Sequence, residues 1–227
     1  LSAADVVIIL GDYDTDGVLA SKIAKDALRA LYPTTAVSVL LPDRFRDGYG
    51  VHKGTIDKIS RVFAQMQQRG KQFQHPLILT VDNGTAAAEV FAYAKEKIPG
   101  LSVIVTDHHP PKDQDTVSQL RQSTDLVCNP HIDGFSYDGY CGAGVIYKLL
   151  ESAINDEVLL RNLQMYAGIA TVADVMPMQR DNWKITRSAI AAIRAGLEGQ
   201  TLPPALALLF EKQGIAHPSQ LNEDYFA

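Results

Sequence analysis

The run Val6-Val7-Ile8-Ile9-Leu10, followed at once by Gly11-Asp12-Tyr13-Asp14-Thr15-Asp16-Gly17, constrains the fold more than any other stretch of this chain. An unbroken series of mostly β-branched apolar residues suits a strand covered on both faces, the environment of parallel sheets. Beyond Gly17 the period changes. Leu19, Ile23, Ala27 and Leu31 fall on one helical face, and Pro33 ends it. The aspartates therefore stand at the carboxyl end of a strand, just before a helix N-terminus. Open α/β sheets bind ligands there, where loops converge and the helix dipole favours negative charge.

Three carboxylates at one strand tip repel one another. At a separation of about 5 Å and an effective dielectric near 20, each pair costs roughly 3 kcal/mol. Bound cations are the simplest remedy, and oxygen ligands suit hard divalent ions such as Mg²⁺ or Mn²⁺. The spacing Asp12-x-Asp14-x-Asp16-Gly17 also matches the start of a calcium EF-hand loop. That loop needs a glutamate at its twelfth position, here Ile23, and a helix before it, so the calcium reading fails.

The same design recurs along the chain. Strands are expected at 36–42, 77–81, 101–106 and 125–130, and helices at 51–68 and 86–97. The third strand ends in Asp82-Asn83-Gly84-Thr85 and the fourth in Asp107-His108-His109-Pro110-Pro111. Right-handed crossovers put the carboxyl ends of parallel strands on one edge. Asp12, Asp14, Asp16, Asp82, Asp107, His108 and His109 are thus expected in one cleft. A lone Asp before a helix is ordinarily an N-cap, and a lone His a hydrogen-bonded structural residue. Acids or imidazoles at three strand tips on one edge favour a shared site.

Between the second strand and the next helix, Asp43-Arg44-Phe45-Arg46-Asp47-Gly48-Tyr49-Gly50 offers arginine forks suited to phosphate oxygens, or a solvated turn with surface ion pairs. Cys141-Gly142-Ala143-Gly144-Val145 opens another helix; its glycines can expose N–H groups to an anion or allow close helix packing. Further helices are expected at 145–154, 158–174, 183–197 and 203–213. In the stretch from Ala167 to Pro177, Asp174 is the single acid in a small, apolar run. A buried carboxylate without a partner costs several kcal/mol, so Asp174 is expected to be paired, exposed at a helix end or bound to metal, of which metal is favoured.

Composition sets bounds without choosing a function. The chain has 227 residues, a net charge of −5 and no apolar run of transmembrane length. An acidic enzyme can still hold phosphates through a local basic patch and metal ions. Cys128 and Cys141 are too few for a disulfide scaffold and suit a reducing cytoplasm. Cys128-x-x-His131 with Cys141 lacks the second paired motif of a zinc site, so buried thiols are expected.

Assembled, these residues resemble the DHH phosphoesterase family, named for an Asp-His-His like Asp107-His108-His109, and most resemble its RecJ-type branch of single-strand DNA exonucleases. The similar segments are Gly11 to Gly17, Pro42 to Gly50, Thr80 to Gly84, Val105 to Pro110, Gly142 to Leu149 and Ala170 to Pro177. The resemblance implies an α/β fold with a parallel, doubly wound sheet of five or slightly more strands. It implies two divalent metal ions, Mn²⁺ favoured over Mg²⁺, on Asp14, Asp16, Asp82, His108 and Asp174, with Asp82 bridging. Asp12 is an additional ligand or a support for one. Relatives often carry a histidine where Leu10 stands, and Asp12 is expected to compensate. His109 would face the scissile phosphate and Asp107 orient the imidazoles, while Arg44, Asn83, Gly142 and Gly144 are candidate phosphate contacts.

The implied reaction is 5′-to-3′ hydrolysis of single-stranded DNA by a cytoplasmic monomer with no membrane partner. Oligoribonucleotide or cyclic-dinucleotide hydrolysis are alternatives within the family, and a non-catalytic single-strand-binding scaffold is the alternative outside it. The expected division is a catalytic α/β core over 1–150 and a helical part of the same domain over 151–200. Residues 201–227 would begin a connector towards a second, DHHA1 domain beyond this chain.

Overall fold

In the computed structural model, which describes residues 4–46, 48, 50–70, 73–199, 202–217 and 220, strand β1 (Val6–Leu10) is buried along its whole length. Val7 and Ile9 enter one apolar cluster, and Val6, Ile8 and Leu10 the opposite one, as the two-residue period of a strand requires. The remaining strands are β2 (Ala36–Leu40), β3 (Pro76–Val81), β4 (Ser102–Thr106) and β5 (Leu126–Cys128). All pairings are parallel, in the order β2-β1-β3-β4-β5. The chain leaves β1 outward to β2 and then returns to the other side of β1. The β1/β3 junction is therefore the switch point at which following helices diverge and a crevice opens.

Helix α1 (Thr15–Leu31) covers one face, burying Ala20, Ile23, Ala24, Ala27 and Leu28. Helices α2 (Lys53–Gln68), α3 (Ala88–Lys97) and α4 (Gln114–Ser123) cover the other through Ile56, Ile59, Phe63, Phe91 and Leu120. The sequence pattern gave no sign of α4, because its ten residues bury little beyond Val117 and Leu120. Its start is fixed by Asp113, whose carboxylate accepts from the Thr116 N–H at 2.8 Å.

Helix α5 (Gly142–Leu150) begins three residues earlier than its apolar period suggested, so Gly142 and Gly144 lie in its first turn. Then follow α6 (Glu157–Ala173), α7 (Arg180–Leu197) and α8 (Pro204–Lys212). Leu163, Met165, Ile185, Ile193, Leu206 and Phe210 from these helices share one apolar cluster with Val7 and Ile9 of β1. The helical C-terminal segment is thus packed on the α1 face of the sheet through α8. Most of the expected connector beyond α8, residues 221–227, lies outside the described residues, as do Asp47 and Tyr49 of the arginine loop.

Both cysteines are buried free thiols. Among the described residues no helix is long and apolar enough to cross a membrane. Ile78, fully buried in β3 between its two neighbours, tests how far the strand core supports the rest. Ile78→Ala should lower stability by about 2–5 kcal/mol, read as a fall in the urea midpoint with unchanged slope.

Candidate metal centre

The strand tips bring their polar residues to one edge by main-chain means. After β1 the chain passes through Asp12, buried to 1% exposure, and reaches Asp14, which N-caps α1 by accepting from the Gly17 N–H at 2.9 Å. Asp16 falls inside the first turn of α1 rather than before the helix, which buries its carboxylate. Asp82 follows β3 in the left-handed region, φ 61°, a conformation that Asp tolerates better than most side chains. Asn83 ties the two tips together: its Nδ2 donates to the carbonyls of Leu10 and Val81 at 3.4 and 3.2 Å.

The amino end of α5 closes against these acids. The N–H groups of Gly142 and Ala143 donate to Asp16 Oδ2 and Oδ1 at 2.6 and 2.8 Å. A helix N-terminus thereby offsets part of the buried negative charge. A Cβ on Gly142 would lie 2.4 Å from Asp82 Cβ and 2.5 Å from its Oδ1. Glycine is required there for α5 to approach the acids this closely.

His108 is set among the acids. Its Nε2 lies 3.2 Å from Asp82 Oδ1, 3.8 Å from Asp16 Oδ2 and 3.8 Å from Asp174 Oδ2. Asp174 caps the C-terminus of α6, and Val175 after it takes φ 55° with its side chain 87% exposed. A left-handed, solvent-exposed valine is strained and persists only where its surroundings fix it. The Val175 N–H donates to Val172 O at 3.0 Å and the Met176 N–H to Thr171 O at 3.1 Å, and buried Asn182 holds the following Pro177 O at 3.0 Å.

His109 has a different partner. Its Nδ1 is 2.8 Å from Asp107 Oδ1, which also accepts the N–H groups of His108 and His109. Asp107 Oδ2 accepts the Thr85 N–H at 2.8 Å. Burial alone would raise the Asp107 pKa, but the His109 and Thr85 hydrogen bonds hold it below the usual carboxylate range. The ionised carboxylate places the imidazole proton on Nδ1, so the neutral ring carries its lone pair on Nε2. The same hydrogen bond raises the His109 pKa against the opposing effect of burial.

Asp82 shows the opposite response. Burial first, then repulsion from Asp16 and Asp14, drives its pKa far above the carboxylate range. Asp174 is raised by burial and Asp16, and Asp12 by burial. Among the described residues, Asp82 Oδ1 and Asp12 Oδ2 are buried oxygens with no hydrogen-bond donor. Two sets of ligand atoms lie within 4.8 Å of one another, Asp16–His108–Asp174 and Asp82–His108–His109, and they share His108. An orphaned oxygen on Asp82, a residue grouped with imidazole nitrogens, fits a hard-to-borderline divalent ion such as Mn²⁺.

The expected site residues thus divide. Asp16, Asp82, His108, His109 and Asp174 meet as grouped ligand atoms, whereas Asp12 and Asp14 stand beside them without entering either group. Leu10, for which Asp12 is expected to compensate, is buried in the apolar cluster. Arg44 is exposed, its guanidinium 5.5 Å from the Tyr13 ring, so it stands next to the β1 tip. Three expected phosphate donors are otherwise engaged. The Gly142 N–H serves Asp16, the Gly144 N–H points to Cys141 Sγ at 3.3 Å, and the Asn83 amide binds β-strand carbonyls. Sequence reasoning missed Asn129, fully buried just past β5, whose Nδ2 donates to Thr85 Oγ1 and to His109 O, both at 2.9 Å. The strand-tip rule applied to β5 would have singled it out.

Comparison with known proteins points the same way. The model of the DHH family, N-terminal domain, matches residues 6–174. The single-stranded-DNA-specific exonuclease RecJ of Bacillus subtilis is 32% identical over 196 residues, 86% of this chain and 22% of that protein. Its namesake from Escherichia coli is 31% identical over 205 residues, 84% of this chain and 32% of that protein. Among solved structures, exonuclease RecJ bound to manganese superposes with a TM-score of 0.69 at 26% identity, covering 92% of this chain and 48% of that one. RecJ in complex with Mn²⁺ from Thermus thermophilus gives 0.63 at 25% identity, covering 92% and 27%. The chain spans a third or less of the length of these curated relatives.

The raised Asp82 pKa has a measurable consequence without metal. Folded Asp82 holds its proton more tightly than the unfolded chain does, so metal-free stability falls as pH rises above about 4. Asp82→Asn should flatten that slope and stabilise the protein at pH 7 in chelator. The same substitution should diminish the rise in melting temperature that Mn²⁺ gives the wild type. Urea and thermal unfolding across pH, with chelator or Mn²⁺, read both effects.

Proposed function

The chain belongs to the DHH family, and on that premise we propose that it is a metal-dependent phosphodiesterase that removes nucleotides from single-stranded DNA in the 5′-to-3′ direction. The observation that carries this reading is the pairing of two chemistries at one edge: clustered ligands Asp16, Asp82, His108 and Asp174 beside a His109–Asp107 hydrogen-bonded pair. The names of the relatives support the substrate class, and the manganese complexes among the structural neighbours support the metal.

On this reading Asp16, Asp82, His108 and Asp174 hold divalent ions, with His109 able to join the Asp82 group. When bound, such ions supply an activated water and neutralise charge on phosphoryl oxygens. The chain's own residues do the rest. Asp107 holds His109 with Nδ1 protonated, which presents Nε2 as a group able to hold or pass a proton at the phosphate. Asp107 also binds the N–H groups of both histidines, so the two rings, 4.4 Å apart, keep fixed positions. Arg44, exposed beside the β1 tip, offers a fork for a phosphate oxygen. The non-catalytic alternative leaves the orphaned Asp82 oxygen and the buried acid cluster without a use.

Release of nucleotides from end-labelled single-stranded DNA with Mn²⁺ tests the proposal, with RNA and cyclic dinucleotide as competing substrates. Asp174→Ala should abolish release together with much of the Mn²⁺ melting shift. His109→Ala should lower kcat about 10²–10⁴-fold with fold retained. Preference for the cyclic substrate, or unchanged release by Asp174→Ala, would overturn the assignment.

A further inference from the structure

His109 lines a cavity of about 620 Å³ that α4 borders, and its side chain is 43% exposed, so packing alone does not hold the imidazole in one place. Hydrogen bonds do. Its N–H and Nδ1 both meet Asp107 Oδ1, at 3.2 and 2.8 Å, and its carbonyl accepts from Asn129 Nδ2 at 2.9 Å. The residue is gripped on both sides of its Cα, from the tip of its own strand β4 and from the tip of β5.

Asn129 is fully buried and cannot turn. Its Oδ1 accepts the His131 N–H at 2.9 Å, which fixes the amide orientation and leaves Nδ2 for His109 O and for Thr85 Oγ1, also at 2.9 Å. Its own N–H donates to Asp133 Oδ2 at 3.0 Å, and Asp133 is held in turn by Arg121 of α4 at 3.2 Å. Thr85, 4% exposed past the end of β3, completes a circuit: its N–H donates to Asp107 Oδ2 at 2.8 Å while its hydroxyl accepts from Asn129. A hydroxyl that accepts in this way keeps its own hydrogen for another acceptor, and the Thr85 side chain joins the N–H in lowering the proton affinity of Asp107. The path Asn129–Thr85–Asp107–His109 thus returns to Asn129 through the His109 carbonyl, and no member moves without breaking contacts to two others. The ordinary role of buried polar side chains at strand ends is to satisfy main-chain groups, and the Asn129 contact to His131 does that. The Asn129–Thr85 contact does not: it joins two side chains and lies on the line to Asp107.

We infer that Thr85 and Asn129 are positioning residues for His109, together fixing where its imidazole stands beside the acid cluster. The inference rests on the phosphodiesterase reading, in which His109 Nε2 serves the phosphate. Imidazole proton–nitrogen NMR spectra of the metal-free protein read the hold on His109 through exchange of its Nδ1 proton with solvent. Turnover of end-labelled single-stranded DNA with Mn²⁺ reads the consequence. Thr85→Val keeps the side-chain shape and removes the hydroxyl; it should speed the Nδ1–H exchange about tenfold and lower kcat about tenfold. KM should change less than about twofold, and the Mn²⁺ melting shift should be retained. Thr85→Ser should restore both exchange and kcat. Asn129→Ser keeps an oxygen for the His131 N–H and loses both amide donors; it should match Thr85→Val, and it carries the test where Thr85→Val does not fold. Unchanged exchange in a folded variant, failure of Thr85→Ser to restore it, or loss of the Mn²⁺ shift in step with kcat would overturn the inference. Faster exchange in Thr85→Val, in a protein whose wild type releases no nucleotide, would keep the hold on His109 and reject the hydrolytic reading instead.

Discussion

Repulsion among buried carboxylates is the constraint around which this molecule is arranged. Asp12, Asp16, Asp82 and Asp107 are each at most 2% exposed, and all lie just past strand ends on one edge of the sheet. Nothing local would hold four acids so near one another in the absence of counter-charge. They are held by the sheet, whose strands are fixed by apolar clusters on both faces, and by main-chain donors from distant segments. Asp16 takes two N–H groups from α5, and Asp107 takes them from Thr85, His108 and His109. Asp82 receives no such relief, and its displaced proton affinity is the result. The fold thus separates acids that main-chain donors satisfy, Asp16 and Asp107, from Asp82, whose Oδ1 has no donor among the described residues.

That separation explains what could be read from the sequence. The β-branched runs and the helical periods announced a parallel α/β sheet, because a strand buried on both faces leaves few other interpretations. The strand-tip rule then gathered Asp16, Asp82, His108 and His109 from segments far apart in the chain. What stayed hidden depends on three-dimensional accommodation. The residue type at 142 allowed anion contact or close packing; the close approach is set by Asp82, far back in the chain, and the N–H partner is Asp16. Asn83 likewise has the composition of a phosphate ligand, but its amide joins the ends of β1 and β3. Helix α4 carried too little apolar periodicity to announce itself, though it supplies one wall of the cavity beside His109.

Asp14 illustrates why residue type and position alone do not fix a role. It belongs to the same triplet as Asp12 and Asp16, yet it is exposed and caps α1, whereas its neighbours are buried. Capping engages one carboxylate oxygen and leaves the other, so the cap and a ligand role are compatible in chemistry. Its charge still reaches the centre, contributing to the raised proton affinity of Asp82 and Asp174. A cation that neutralises the cluster would relieve Asp14 as well, which couples the start of α1 to metal binding.

The Asp-His-His segment sets two neighbouring imidazoles against different partners. His108 turns its Nε2 to the carboxylates of Asp16, Asp82 and Asp174, while His109 is anchored through Nδ1 to Asp107 and lines the cavity. The chain bends at His109, which keeps the two rings side by side at 4.4 Å, and the prolines at 110 and 111 keep the chain from turning helical immediately. Asp107 sits beneath both, binding their N–H groups with one oxygen and the loop after β3 with the other. Shifting Asp107 would disturb both imidazoles at once, because its Oδ1 accepts the N–H groups of His108 and His109 together.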